Sequence, residues 1–104
     1  MTEVQFQLAG AAGEQPPVVT ASGDIDLANV NQFHHLMAQA AGSAEAIIVD
    51  LSRVSYCDSA TVRALFSVAA STKLTLVVRS TGSIMTLISV AGLDRVATVT
   101  TLDE

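Results

Sequence analysis

Residues 46–51, AIIVDL, are an apolar run rich in β-branched side chains, and shortly afterwards the apolar spacing changes to Val62, Leu65, Phe66 and Ala69. A short continuous run of this kind marks a strand buried on both faces, as in a parallel sheet under helices. Spacing by three and four marks one stripe of a helix. A strand that feeds directly into a helix commits the chain to crossover connections, so residues 46–51 are expected to form the central strand of an α/β sheet.

The remaining segments fit around that strand. Val4, Phe6 and Leu8 alternate with polar residues, the period of a half-buried strand, before AGAAGEQPP breaks the pattern. Residues 18–22 predict a second strand stopping at Gly23, and Val30, Phe33, Met37 and Ala40 recur at helical spacing behind GDIDLANVNQF. Residues 74–79 predict a further buried strand and residues 83–92 a helix with Ile84, Leu87, Ile88 and Ala91 inward and Gly92 as its stop; residues 96–99 close the series. The order ββαβαβαβ implies one domain over residues 1–104, with a mainly parallel sheet, covering helices and one antiparallel edge strand made by the first hairpin. No repeat, low-complexity tract or long linker interrupts it.

With 104 residues the chain can build one core, and with half of them apolar it has the material to do so. Five basic residues against ten acidic ones leave a net charge of −5, which argues against direct binding of nucleic acid and for a protein partner. No apolar run approaches the length that inserts in a membrane. The N-terminus lacks a basic-then-apolar leader, and one cysteine fits a reducing compartment, so a cytoplasmic location is expected.

The residues with chemistry to offer gather after the central strand. In SRVSYCDSATVRAL, Asp58 and Ser59 stand where the strand pattern stops and the helical one starts. An oxygen-bearing side chain there caps a helix by accepting a free first-turn N–H. The same place suits a phosphate, which would meet those N–H groups and the positive end of the helix dipole. Both readings of Ser59 stand on the sequence alone. Cys57 reads as a small buried hydrophobe, with redox sensing as the sharper alternative. His34 and His35 are adjacent and cannot share a metal in the i, i+4 manner, and no metal site or cofactor is expected. Asp26 is expected to cap the first helix. A hydrolytic arrangement of Ser59 with His34 or His35 lacks a nucleophile elbow, so the chain is not expected to be an enzyme.

GDIDLANVNQF, then IIVDLSRVSYCDSATVRALF, then a late GLDRVATV, together resemble the STAS domain of bacterial anti-sigma factor antagonists over nearly the whole chain. The most specific part is VDLSRVSYCDS. The resemblance implies that Ser59 is the serine phosphorylated in the family and Asp58 the acid before it. Asp26 falls on the acid of the earlier turn. It also implies a docking surface of Asp24, Asp26, Asp58, Ser59, Ala60, Thr61 and Val62 with the exposed face of the following helix. Ala60 stands where the family has Ser or Thr, and Thr61 where it has Gly; Thr61 thereby offers an alternative acceptor hydroxyl. The function so implied is a switch. The unphosphorylated domain binds an anti-sigma factor that is also an ATP-dependent serine kinase, freeing a sigma factor. Phosphorylation blocks this and a phosphatase restores it. The alternative is a STAS scaffold or regulatory subunit of a stress-signalling or transport assembly, without a phosphorylation cycle.

Overall fold

The computed structural model describes residues 4–10, 15–42 and 44–102. Its elements in chain order are β1 Gln5–Ala9, β2 Val18–Asp24, α1 Val30–Ala41, β3 Ala46–Tyr56, α2 Ser59–Ala69, β4 Lys73–Arg79, α3 Ser83–Ala91, a 3-10 turn Leu93–Arg95, and β5 Thr98–Leu102. The strands lie in the sheet in chain order, β1 antiparallel to β2 and every later pair parallel. The α/β class, the antiparallel edge and the central place of the AIIVDL strand are as the sequence predicts. Residues 11–14 of the AGAAGEQPP break lie outside the described residues.

The coverage of the sheet differs from expectation. Val19 and Ala21 of β2, Ile47, Val49 and Leu51 of β3, and Leu74, Leu76 and Val78 of β4 are buried, while their alternates are only half-buried or exposed. The register puts these buried residues on one face, where they form a single core with Phe33 and Met37 of α1, Leu65 and Val68 of α2, and Ile88 of α3. All three helices therefore pack on one side. The cause is topological: a sheet that adds parallel strands in one direction through crossovers of one hand places every crossover on the same face. Ile48, Asp50, Thr75 and Val77 line the opposite, uncovered face.

Local boundaries have local causes. The strand of residues 46–51 continues to Tyr56, with register shifts against β2 along its second half. The last strand begins at Thr98 and not at Val96, because the Val96 and Ala97 N–H groups donate back to the Leu93 carbonyl and close the 3-10 turn, both at 3.1 Å. In α1 the buried set is Val30, Phe33, Met37 and Ala40, as the periodicity predicts, and Phe6 of β1 stacks on Phe33 with ring centroids 5.3 Å apart. In α2 the buried set is Thr61, Val62, Ala64, Leu65 and Val68, with Phe66 and Ala69 only half-buried. In α3 only Ile88 is fully buried; Ile84 and Leu87 are half-buried, and Ala91, expected inward, is exposed. Gly92 ends α3 in the left-handed conformation at φ 81°, the stop that the sequence predicts.

Candidate docking and modification site

The ends of β2 and β3 lie side by side. Asp24 pairs with Tyr56, and the Ile25 N–H donates to the Tyr56 carbonyl at 2.8 Å, which fixes the turn after β2 beside the loop after β3. Both leave the carboxyl end of the parallel strands, where loops free of the sheet can carry function.

The turn after β2 holds itself. The Asp26 carboxylate accepts the Ala28 N–H at 2.9 Å, and its carbonyl accepts from Asn29 and Val30 at 3.1 and 2.8 Å. Asn29 Oδ1 accepts the Asp26 N–H at 3.0 Å, and Asn29 Nδ2 donates to the Asp24 carbonyl at 3.1 Å. Asn29, not Asp26, is the residue at the cap position of α1, and its side chain bonds back into the turn. Asp26 sits too far upstream to reach the first-turn amides and closes a side-chain turn instead. Its position leaves it exposed beside the loop after β3.

The loop after β3 assigns the roles of Asp58 and Ser59. Asp58 is extended, at φ −121° and ψ −172°, and its Oδ1 accepts the N–H groups of Ala60 and Thr61 at 3.1 and 3.3 Å. It is the cap of α2. Ser59 is then the first helical residue, exposed, and among the described residues its hydroxyl has no hydrogen-bond partner. The capping reading of Ser59 is thereby removed.

Thr61 and Val62 correct the expected docking surface. Thr61 is 0 % exposed, on the same helical stripe as Leu65 and Val68 of the core, and Val62 beside it is also buried. Neither presents a surface to a partner, and the Thr61 hydroxyl, enclosed and without a hydrogen-bond partner among the described residues, is no acceptor for a kinase in this conformation. Asp24, Asp58 and Ala60 remain half-buried at the rim. Cys57 is buried, and burial pushes its thiol up from 9.0 to about 11, with the Asp58 carboxylate adding to the rise. The rise lowers the thiolate fraction on which redox sensing depends, and favours the reading of Cys57 as a small buried hydrophobe.

A cleft of about 430 Å³ runs between α1 and α2, lined among others by Leu27, Val30, His34, Ala60, Arg63 and Ser67, so that it takes in the residue that follows Ser59 and the one a helical turn beyond it. Leu27 at its end is 76 % exposed, and Tyr56 at the end of β3 is 52 % exposed. Leu27, Tyr56 and Arg63 lie within the stretches that carry the family resemblance but were given no role there, and His34 lies just outside them; the signal available in the sequence is Arg63 one helical turn beyond Ser59. His34 faces the cleft whereas His35 is exposed elsewhere on α1. No hydrogen bond joins His34 to Ser59, and no three His, Cys, Asp or Glu side chains converge as metal ligands, among the described residues. Among the same residues no helix is long and apolar enough to cross a membrane.

A family model described as Mlab, STAS domain, matches residues 8–101. No curated protein matches the chain. Among solved structures, an anti-sigma factor antagonist from Mycobacterium paratuberculosis superposes with a TM-score of 0.81 at 22% identity, covering 93% of this chain and 85% of that one. The antagonist SpoIIAA in its unphosphorylated form gives 0.60 at 21% identity over 88% and 97% of the two chains. The Bacillus SpoIIAA in its phosphorylated form gives 0.66 at 22% identity over 93% and 92%. At these identities the likeness is one of fold.

Proposed function

The chain belongs to the STAS domain family, and on that premise we propose that it acts as an anti-sigma factor antagonist switched by phosphorylation of Ser59. Residues 1–104 are taken as one such unit, working in the cytoplasm without catalysis of its own. The observation that carries the reading is Ser59 itself: exposed, at the start of α2, with a hydroxyl that the fold does not use because Asp58 caps the helix. A surface serine with no structural duty, adjoining Ala60 of a partly apolar cleft, is where added charge changes docking at little cost to the fold. The unmodified surface, comprising Asp26, Ser59, Leu27, Tyr56 and the cleft, binds an anti-sigma factor that is also a serine kinase. Phosphate brings about −1.5 to −2 charges next to Asp58, and disrupts docking by repulsion and desolvation. A serine phosphatase restores the binding form. ATP belongs to the partner.

Titration calorimetry with the cognate anti-sigma kinase tests this. Ser59→Glu should weaken binding about tenfold, or ~1.4 kcal/mol, and Ser59→Ala should bind at least as tightly as the wild type. Equal affinity of all three would favour the second reading, a STAS subunit held in an assembly without a phosphorylation cycle. Ala60 and Thr61 support that reading, because the close backbone approach that glycine permits in the family is unavailable at a buried, β-branched Thr61.

A further inference from the structure

We propose that Arg63 is the cation that engages a phosphate on Ser59, and that the same guanidinium lines the docking cleft when Ser59 is unmodified. The inference rests on the phosphorylation reading above and deepens it. A phosphate at the first residue of α2 does not find the usual helix-start environment, because Asp58 Oδ1 already occupies the Ala60 and Thr61 N–H groups. The Asp58 carboxylate is also a like charge on the adjoining residue. The dianion therefore needs a cation from elsewhere. Ser59 and Arg63 stand four apart in one helix, which places their Cβ atoms about 5–6 Å from each other on one face, with the acid N-terminal to the base, the favourable order. Arg63 is exposed, and among the described residues no ion pair or hydrogen bond engages its side chain. Its guanidinium offers the paired donors that suit phosphate oxygens.

Arg63 also forms part of the cleft wall with Leu27, His34 and Ser67. Phosphorylation thus acts twice: it adds negative charge at the rim and draws the arginine of the cleft wall toward that charge. A partner group that pairs with Arg63 in the unmodified state, a carboxylate by this chemistry, loses its counter-ion at the same moment.

The test uses the full chain with phosphoserine installed at position 59 by genetic encoding, so no kinase is required and failure to find one would count against the proposed function alone. The second ionisation of the phosphate, near 6 when unperturbed, is followed by phosphorus NMR. In the otherwise unchanged chain it should lie lower than in Arg63→Gln by about half a unit, roughly threefold in proton affinity. Arg63→Lys should restore much of that difference. Lys73→Gln is the control, since Lys73 pairs with Ala46 at the opposite end of the sheet, and it should leave the value unchanged. Equal values with Arg63 intact and in the Arg63→Gln variant, or an equal change on replacing Lys73, would overturn the assignment.

Discussion

Asp58 and Ser59 are neighbours that could each serve the start of α2, and geometry divides the work between them. Asp58, extended just before the helix, reaches the second and third amides with one oxygen, whereas a side chain on the first helical residue cannot fold back to them. Asp58→Ala should therefore cost about 1 kcal/mol in chemical denaturation, and Ser59→Ala only a few tenths at most, roughly the scale of a surface change. A larger loss from Ser59→Ala than from Asp58→Ala would refute the division. Thr61 gives a second residue-level prediction. Its buried hydroxyl has no partner among the described residues, so the near-isosteric Thr61→Val should raise stability by about 1 kcal/mol; a loss of stability would mean that the hydroxyl is satisfied in solution. Cys57 yields the pH dependence. The folded thiol ionises near 11 while the unfolded one ionises near 9.0, so the unfolded chain binds fewer protons between these values and stability falls as pH rises from about 9 to 11. Cys57→Ala should flatten that decline, and iodoacetamide should label the native wild type slowly at pH 8. Residue roles were the least legible part of the sequence. An Asp-Ser pair at a helix start looks the same whichever member caps, and threonine looks like surface until the rotation of the helix is known.

Elements were legible in proportion to how one-sided their surroundings are. The stripe of α1 was readable because the helix buries one face against β1, β2 and β3, with α2 at its flank, and leaves the far side in water, the case for which a 3.6-residue pattern is diagnostic. α2 lies between α1 and α3 over β4, so its buried set is wider than one stripe and takes in Thr61, Ala64 and Val68. α3 is apolar around most of its circumference, yet Val90 is 81 % exposed and only Ile88 is fully enclosed; pattern alone could not tell a half-covered helix from a buried one. Its end was predictable for a backbone reason. Gly92 adopts φ 81° with open space around the position of a Cβ, so Gly92→Ala should destabilise by about 1–2 kcal/mol through backbone strain alone. A thermal shift indistinguishable from zero would show that the helix end relaxes to another conformation.

At the scale of the molecule, the parallel pairing, the antiparallel edge and the central place of residues 46–51 were legible in the pattern of strands and helices, but the sidedness of the sheet was not. Ile47, Ile48 and Val49 read alike in sequence, and only the direction in which strands are added decides that Ile47 and Val49 are covered while Ile48 faces the open side. The same arrangement brings the turn at Asp26, the loop at Ser59 and the α1–α2 cleft to one end of the domain, which makes the site a surface and not a pocket. Amide shifts on adding the cognate kinase should accordingly cluster on Leu27, His34, Ser59 and Arg63, and should spare Ile48 and Val77 on the uncovered face. The proposed switch requires that Ser59 carry phosphate in the cell. Trypsin cleavage after Arg53 and Arg63 isolates residues 54–63, VSYCDSATVR, so mass spectrometry of the protein purified from its own cells can locate a phosphoryl group within that peptide. A fraction of the peptide should carry phosphate at Ser59 and none at Thr61. An unmodified peptide under every growth and stress condition sampled, or phosphate confined to Ser55, Tyr56 or Thr61, would rule out a switch at Ser59.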